Sequence, residues 1–396
     1  MQIFHKFFKQ LFSKSTKNNP RLIDDKILFS AICLIFIGII FVYSASIAYA
    51  TNDKLIHNQY YYIIRHLEYI VVAGVASLGV FKLPTSFWRK HALSIGLVII
   101  ILLVAVLIPH IGRVVNGARR WIGFGIINLQ PSELAKLGMA ICLSYYITSK
   151  ALGLKRFVQD VLPILGIIGL VSGLLLLEPD MGSTTVVFII ALGILFMANI
   201  DKIIIIGFSS IGVVGFIVLI LIAPYRMRRV LGFINPWDDA LGKGYQLTHS
   251  LLAIGHGGWL GVGLGNSIEK LFYLPEAHTD FILAIIAEET GVAGVGIIIL
   301  LFWIIFYRGF TVVGNEAHAL PNRHFQGLVA QGVSLWFFAQ SLVNIGVALG
   351  ILPTKGLTLP FVSFGGSSIV VSCIALAILL KIDYENKLIK LGVQIE

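Results

Sequence analysis

Long apolar runs separated by short polar stretches dominate this chain. Ten stand out, at about 27–48, 62–82, 92–109, 132–149, 158–178, 183–200, 203–224, 281–307, 326–352 and 361–381. Each is close to the roughly 20 residues that an α-helix needs to cross the hydrocarbon core of a bilayer. The runs are continuous and do not alternate, which selects helices over a β-barrel. Those are the two structures that can satisfy every backbone polar group inside lipid. The expected fold class is an all-α polytopic membrane protein of about ten transmembrane helices.

Composition agrees. The 396 residues are 57% hydrophobic and 13% charged, with a mean hydropathy of +0.89. A soluble domain carries about 25% charged residues, so lipid must solvate most of this chain. The net charge of +10 does not point to nucleic acid, because the basic residues are dispersed over loops and tails, where they set topology. Cys33, Cys142 and Cys373 all fall within apolar runs and form neither a metal motif nor a disulfide framework.

Three regions are expected. Residues 1–26 form a basic amphipathic tail. Phe4, Phe7, Phe8, Leu11 and Phe12 share one helical face and Lys6, Lys9 and Lys14 lie elsewhere, as in a helix resting on an anionic leaflet. Ala48-Tyr49-Ala50 mimics a signal cleavage site, but the apolar stretch before it is too long for a typical signal, so the first span reads as uncleaved. Residues 27–381 form a single transmembrane domain, and 382–396 a C-terminal tail. Lys and Arg outside the spans concentrate on the side of the N-terminus, which places both termini in the cytoplasm and the connections at 110–131, 225–280 and 353–360 outside. The long extracytoplasmic segment 225–280 lies between helices seven and eight. Its stretch GYQLTHSLLAIGHGGWLGVGLGNS, residues 244–267, is half apolar and glycine-rich. It is too interrupted to span, so it lies at the interface or re-enters between helices.

Polar residues at span ends carry the candidate chemistry. LPEAHTDFILAIIAEETG places Glu276, His278 and Asp280 before an apolar run and Glu288 and Glu289 inside it. Carboxylates near or within a span are costly and mark functional sites by default. Asp280 is a candidate proton acceptor; its competing role is a helix cap. Glu288 and Glu289 fit a satisfied interhelical contact at least as well as a direct role. Glu133 and Lys136, three apart in QPSELAKLG, share a helix face; they form either a local ion pair or part of a polar cavity shared with Asp280. Arg119 and Arg120 in GARRWIGFG, and Arg226, Arg228 and Arg229 in PYRMRRV, suit a phosphate or anchor the chain at the membrane boundary. Glu178 and Asp180 flank Pro179 at a short outer turn, as a cation site or as solvated groups. In LPTKGLTLPFVSFGGSS, Lys355 is the cation of its loop, and Ser363, Ser367 and Ser368 could line a polar cavity. A triad of serine, His278 and Asp280 is formally available, but no spacing specifies it.

The stretches GARRWI with QPSELAKL, EPDMGS, GYQLTHSLLAIGHGGWLGVGLGNS, YLPEAHTDFI with AEETG, and LPTKGLTLPFVSFGGSS together resemble the SEDS family. The resemblance covers nearly the whole chain from about residue 27. Ala277 before His278, and the wording TKGLTLPF, resemble the cell-division members more than the elongation members, in which an Arg is usual before the His. The resemblance implies a SEDS-type bundle of ten spans with an outward-facing peptidoglycan glycosyltransferase site. It implies lipid II as substrate, undecaprenyl diphosphate as leaving group, and inversion at the anomeric carbon. The family's catalytic aspartate falls on Asp280. The implied partners are a class B penicillin-binding protein (FtsI-like) and other divisome proteins, and the implied location is the inner membrane at the division septum.

The residue reading and the resemblance join in one expected mechanism. Asp280 takes the proton of an acceptor sugar hydroxyl, whose oxygen displaces the lipid diphosphate from the donor. Arg119, Arg120, Lys136 or Lys355, or a divalent cation such as Mg2+ or Mn2+, would stabilise that leaving group. Glu133 would hold Lys136 in place, and Glu276, His278, Ser363 and Ser367 complete the candidate substrate-binding residues. No metal ligand set is identified. The rivals are a lipid II flippase and a non-catalytic divisome scaffold. A flippase needs polar groups along its whole path, whereas the motifs here concentrate on the outer side.

Overall fold

The computed structural model describes residues 22–52, 58–115, 117–124, 127–150 and 160–393. The expected amphipathic tail therefore lies, up to residue 21, outside the described residues. The helices in chain order are α1 (Asp25–Asn52), α2 (Tyr61–Lys82), α3 (Thr85–Lys90), α4 (Ala92–Leu107), α5 (Pro131–Ser149), α6 (Leu162–Leu177), α7 (Met181–Met197), α8 (Lys202–Ile222), α9 (Pro224–Ile234), α10 (Tyr245–Gly257), α11 (Ile282–Tyr307), α12 (Asn315–Ala319), α13 (His324–Ala348) and α14 (Gly366–Lys390). A helix occupies each of the ten apolar runs. Among the described residues α1, α2, α8, α13, α14 and the stretch Ile282–Ala319 are long and apolar enough to cross a membrane, while α4, α6 and α7 are apolar but shorter.

Burial separates centre from rim. In the most apolar window of α13 and of α14, 78% is buried; in α8 the figure is 6%. Trp336, Phe337 and Ile345 of α13 and Ile378, Leu379 and Ile382 of α14 sit in the main apolar core, with Leu34 of α1 and Ile190 of α7 packed into the same cluster. The helix α8 leaves Ile203, Ile206 and Ile211 exposed, as expected of a helix whose outer solvent is hydrocarbon.

Two departures from the sequence reading concern connections. The connection at 110–131, read as a plain loop, holds an antiparallel sheet in the order β1-β2-β3: β1 (Gly112–Val115), β2 (Ala118–Phe124) and β3 (Ile127–Leu129). Gly112 pairs with Ile122, and Ile122 with Leu129. The pair Asn116-Gly117 is a strong hairpin signal, and Gly117 takes φ +76°. The second departure is the last helix. It starts at Gly366, not near 361, and runs to Lys390, well past the expected end of the span. Its final turns bury Asp383, Glu385 and Asn386.

Those buried groups lock the end of the bundle opposite Asp280. Glu385 accepts from the Thr85 amide at 2.9 Å, from the Thr85 hydroxyl, and from Arg323 at 3.0 Å. Arg323 also donates to Asn386 at 2.9 Å, and Asn386 donates to the Val313 carbonyl at 3.1 Å. Asp24, ahead of α1, accepts from Arg308 Nε at 2.6 Å and from a second guanidinium nitrogen. Lys387 and Lys390 pair with Asp383 and Glu316 at 2.8 and 3.0 Å. This end is richer in charge than its loops suggest, because the charges lie within helix ends.

The stretch 244–270 answers why Glu288 and Glu289 stand in an apolar run. Helix α10 packs along the first part of α11, which breaks at Gly291 (φ 70°, ψ −167°), a conformation that glycine reaches without a Cβ clash. Peptide groups freed by the break are taken up by the chain after α10. The Val292 and Ala293 amides donate to the Gly258 and Trp259 carbonyls at 3.0 and 3.2 Å, and the Val262 and Gly263 amides to the Glu288 and Glu289 carbonyls at 2.9 and 3.1 Å. Both carboxylates staple the same chain. Glu288 accepts from the Ser267 hydroxyl and from the Ile268 amide at 3.0 Å. Glu289 accepts from the Gly265 amide at 2.9 Å, Lys270 Nζ at 2.7 Å and the Ser44 hydroxyl of α1 at 2.7 Å. The segment thus reaches the depth of Gly291, about 13 Å along the helix from Ile282 at 1.5 Å per residue.

Candidate functional site

Asp280 ends the turn that leads into α11. The turn is built by Glu276, whose carbonyl accepts from the Thr279 and Phe281 amides, each at 3.2 Å, and whose carboxylate accepts from the Thr279 hydroxyl at 2.7 Å. Glu276 takes φ +56°, unusual for a residue with a Cβ. The first turn of α11 has no side-chain cap, so Asp280 is not spent on helix amides. The competing reading as a cap falls on that observation.

The Asp280 carboxyl is half-buried. Its pKa is raised from the usual aspartate value to about 7, first by burial and then by the like charges of Glu276 and Asp180, with Arg120 and Arg229 opposing. Asp280 can therefore exist near neutral pH both as a base and as its conjugate acid. Arg120, on β2, donates from Nε to the Glu178 carbonyl at 3.0 Å and from a terminal nitrogen to the Pro179 carbonyl. Its remaining N–H groups, out of five, stay available. Asp180 caps α7 by accepting from the Ser183 amide at 3.0 Å. Both carboxyl oxygens of Glu178 are buried without a hydrogen-bond partner.

The other expected residues divide sharply. His278 is buried among Tyr62, Phe364 and Tyr49, with ring centres at 4.6, 5.7 and 6.0 Å. Burial lowers its proton affinity despite Glu276, which keeps the ring neutral. Lys355 turns toward α7 and α8, its Nζ 3.2 Å from the Thr185 hydroxyl and 4.4 Å above the Phe216 ring. Burial lowers its pKa to about 8, against the pull of Asp180. Arg119 points back to the Leu107 carbonyl at 3.0 Å. Glu133 and Lys136 pair at 2.7 Å, and Lys136 is wholly enclosed, also donating to Gln340 Oε1 at 2.8 Å. That same Gln340 oxygen accepts from Trp336 at 2.7 Å, and Gln340 Nε2 donates to the Thr358 carbonyl at 2.8 Å. The pair supports the loop 352–365 from beneath. Ser363 accepts from the Leu359 amide at 2.8 Å, and Ser367 joins the Asn128 carbonyl and the Gln130 amide at 2.6 and 2.9 Å. These serines stitch loops together, and no described contact joins them to His278.

The charges of Glu276, Arg120, Asp180 and Arg229 act on Asp280, whereas Lys136, Glu133, Arg119, Ser363 and Ser367 lie in supporting positions. Gln340 and Asn344 were missed by the sequence reading. Both are uncharged polar residues within an apolar span, a signal of the same kind that singled out the carboxylates. Among the described residues no group of three or more His, Cys, Asp or Glu is arranged to hold a metal ion. The carboxylates near Asp280 do not by themselves form a ligand set for Mg2+ or Mn2+.

The comparisons agree with this picture. Residues 25–388 match the model of the FtsW/RodA/SpoVE cell cycle proteins. A probable peptidoglycan glycosyltransferase FtsW from Burkholderia thailandensis is 48% identical over 96% of this chain and 82% of its own length. Another, from Aromatoleum aromaticum, is 49% identical over 94% and 90%. Among solved structures, a chain described under structural coordination of polymerization and crosslinking by a peptidoglycan synthase complex superposes with a TM-score of 0.73 at 27% identity, covering 92% of this chain and 98% of that one. The rod shape determining protein RodA of Thermus thermophilus superposes with a TM-score of 0.65 at 26% identity, over 92% and 97%. The family match spans nearly the whole chain, and the chain belongs to the FtsW/RodA/SpoVE family of cell cycle proteins.

Proposed function

We propose that this protein is a peptidoglycan glycosyltransferase that polymerises lipid II at the division septum, with Asp280 as general base. The observation that carries this reading is the uncapped, half-buried Asp280 carboxylate, with a pKa of about 7 and with Arg120 and Arg229 acting on it. The acceptor hydroxyl gives its proton to Asp280 as its oxygen bonds to the anomeric carbon of the donor. The bond from that carbon to the diphosphate breaks, and the electron pair leaves with undecaprenyl diphosphate. One displacement inverts the carbon. Arg120 and Arg229 face the charge that develops on the diphosphate, where oriented cations in a site of low dielectric act most strongly. Lys355 adds longer-range positive charge. Glu133 and Lys136 serve the site indirectly by holding the loop 352–365. No step is routed through a metal.

The finer organisation follows from the same reading. Ten helices cross the inner membrane, both termini are cytoplasmic, and Asp280 opens to the outer face, where a sugar can reach it while both lipid tails remain in hydrocarbon. A class B penicillin-binding protein of the FtsI type crosslinks the product, in company with other divisome proteins. The ion-paired far end supports polymerisation over passage of a headgroup through the bundle. Purified protein supplied with such a partner and labelled lipid II is the test. Glycan strands should form, and Asp280→Asn should abolish them without loss of the folded protein. Lipid II crossing vesicles without polymerisation would overturn the reading.

A further inference from the structure

The loop 352–365 approaches Asp280 in a way that its role as a base does not itself require. Asn344 of α13 is 2% exposed and donates from Nδ2 to two main-chain carbonyls, that of Asp280 at 2.8 Å and that of Leu357 at 2.6 Å. One amide thus ties the turn before α11 to the loop. Its own Oδ1 is buried without a partner, which is costly for a polar group. A residue tolerated at that cost does something an apolar side chain could not.

The consequence of the tie appears at Gly356. A Cβ on this residue would lie 2.7 Å from Asp280 Oδ2 and 3.6 Å from its Cγ, with no other atom within 4 Å. The loop backbone therefore passes directly over the carboxylate, and a Cβ there would force the oxygen to move. The φ of Gly356 lies outside the left-handed region, so glycine is required there for room and not for backbone conformation. An added methyl group would meet the carboxylate alone.

We propose that Asn344 and Gly356 are positioning residues for Asp280: the Asn344 amide fixes the height of the loop over the turn, and the bare Cα of Gly356 sets the direction in which Oδ2 points. The inference rests on the reading of Asp280 as the base. The groups that face Asp280 electrostatically are Glu276 in its own turn, Asp180 ahead of α7, Arg120 on β2 and Arg229 on α9. None lies on the loop 352–365; the cation of that loop, Lys355, is turned toward Thr185 and Phe216, so a change at Gly356 acts chiefly on the carboxylate's orientation and contact with water.

The test is Gly356→Ala, assayed for polymerisation of labelled lipid II across pH beside wild type and Asp280→Asn. Displacement of a reacting group by about 1 Å costs about 10²-fold. A loss of that order in kcat is expected, with KM for lipid II unchanged and the acid limb of the kcat profile moved to higher pH, because the methyl group excludes water from the carboxylate. Asn344→Ala should lower kcat in the same way. If it does not fold, Gly356→Ala decides alone. Wild-type kcat and pH profile in Gly356→Ala, with Asp280→Asn inactive, would overturn the positioning role and leave the base intact. An active Asp280→Asn would overturn the base reading itself.

Discussion

The two ends of the helical bundle use the same residue types in opposite ways. At the far end Glu385, Asp24 and Asp383 each meet a cation, and Glu385 also collects the Thr85 amide and hydroxyl. At the near end Asp280 caps nothing, Glu178 is buried without a hydrogen bond, and His278 keeps a buried, unpartnered Nδ1. Charge removed from water is tolerable when paired and costly when not. The far end spends its charge on cohesion. Buried polar atoms without partners occur at both ends, Asp383 Oδ1 and a terminal nitrogen of Arg323 among them, but the near-end carboxylates of Asp280 and Glu178 lack a cation in contact among the described residues. Which end does chemistry is thus read from the state of the carboxylates more than from their number.

Four variants sharpen the contrast. Asp280→Asn should have the largest effect, a loss of activity of about 10²–10⁴-fold, the usual contribution of a general base. In the wild type, activity should fall as pH drops through about 7, where the raised carboxyl takes up its proton. The sign for stability is the reverse. A carboxyl with a folded pKa above its unfolded one destabilises the fold once pH exceeds the unfolded value. Asp280→Asn should therefore melt above wild type at pH 8, and a lower melting temperature would contradict the unpaired state of this group. Next is Glu385→Ala, which strands Arg323 in the interior. A loss of about 3–5 kcal/mol is expected for breaking a buried pair, read as a fall in melting temperature with polymerisation per folded molecule retained. Lys270→Met should cost about 3 kcal/mol by the same logic, because Glu289 loses its cation. It should also raise the rate of proteolysis within 258–270. Thr185→Val should be mildest, about 1 kcal/mol or less for one neutral hydroxyl contact to Lys355, measurable as a small change in KM for lipid II.

Much of this organisation was legible in the chain. By length and continuity the apolar runs each marked a helix, because a hydrocarbon solvent leaves the backbone no other choice. The cost of a carboxylate near a span drew attention to Asp280. What stayed hidden depends on contacts between residues far apart in sequence. Lys136 reads as a cation ready for a phosphate until Gln340, 204 positions later, is seen to enclose it. Ser367 reads as a cavity hydroxyl until it meets the Asn128 carbonyl, 239 positions earlier. Glu288 and Glu289 read as either a satisfied interhelical contact or a direct role, and their partners on 265–270, with Ser44 of α1, make them staples. The sheet at 112–129 is signalled only by Asn116-Gly117, a hairpin pair too short to stand out among long apolar runs. The burial of Asp383, Glu385 and Asn386 at the end of α14 depends likewise on Lys387, Arg323, Thr85 and Val313, which only the fold brings against them.

The break at Gly291 leaves one consequence. Were the chain at 258–263 to peel away from α11, the peptide groups it serves would be left facing oil, at several kcal/mol for each. A stretch that by composition resembles a loose surface loop is therefore fastened as firmly as a strand within a sheet. It forms a fixed wall behind the half-helix that follows Asp280, so that any change of shape during a turnover must be sought elsewhere around the mouth.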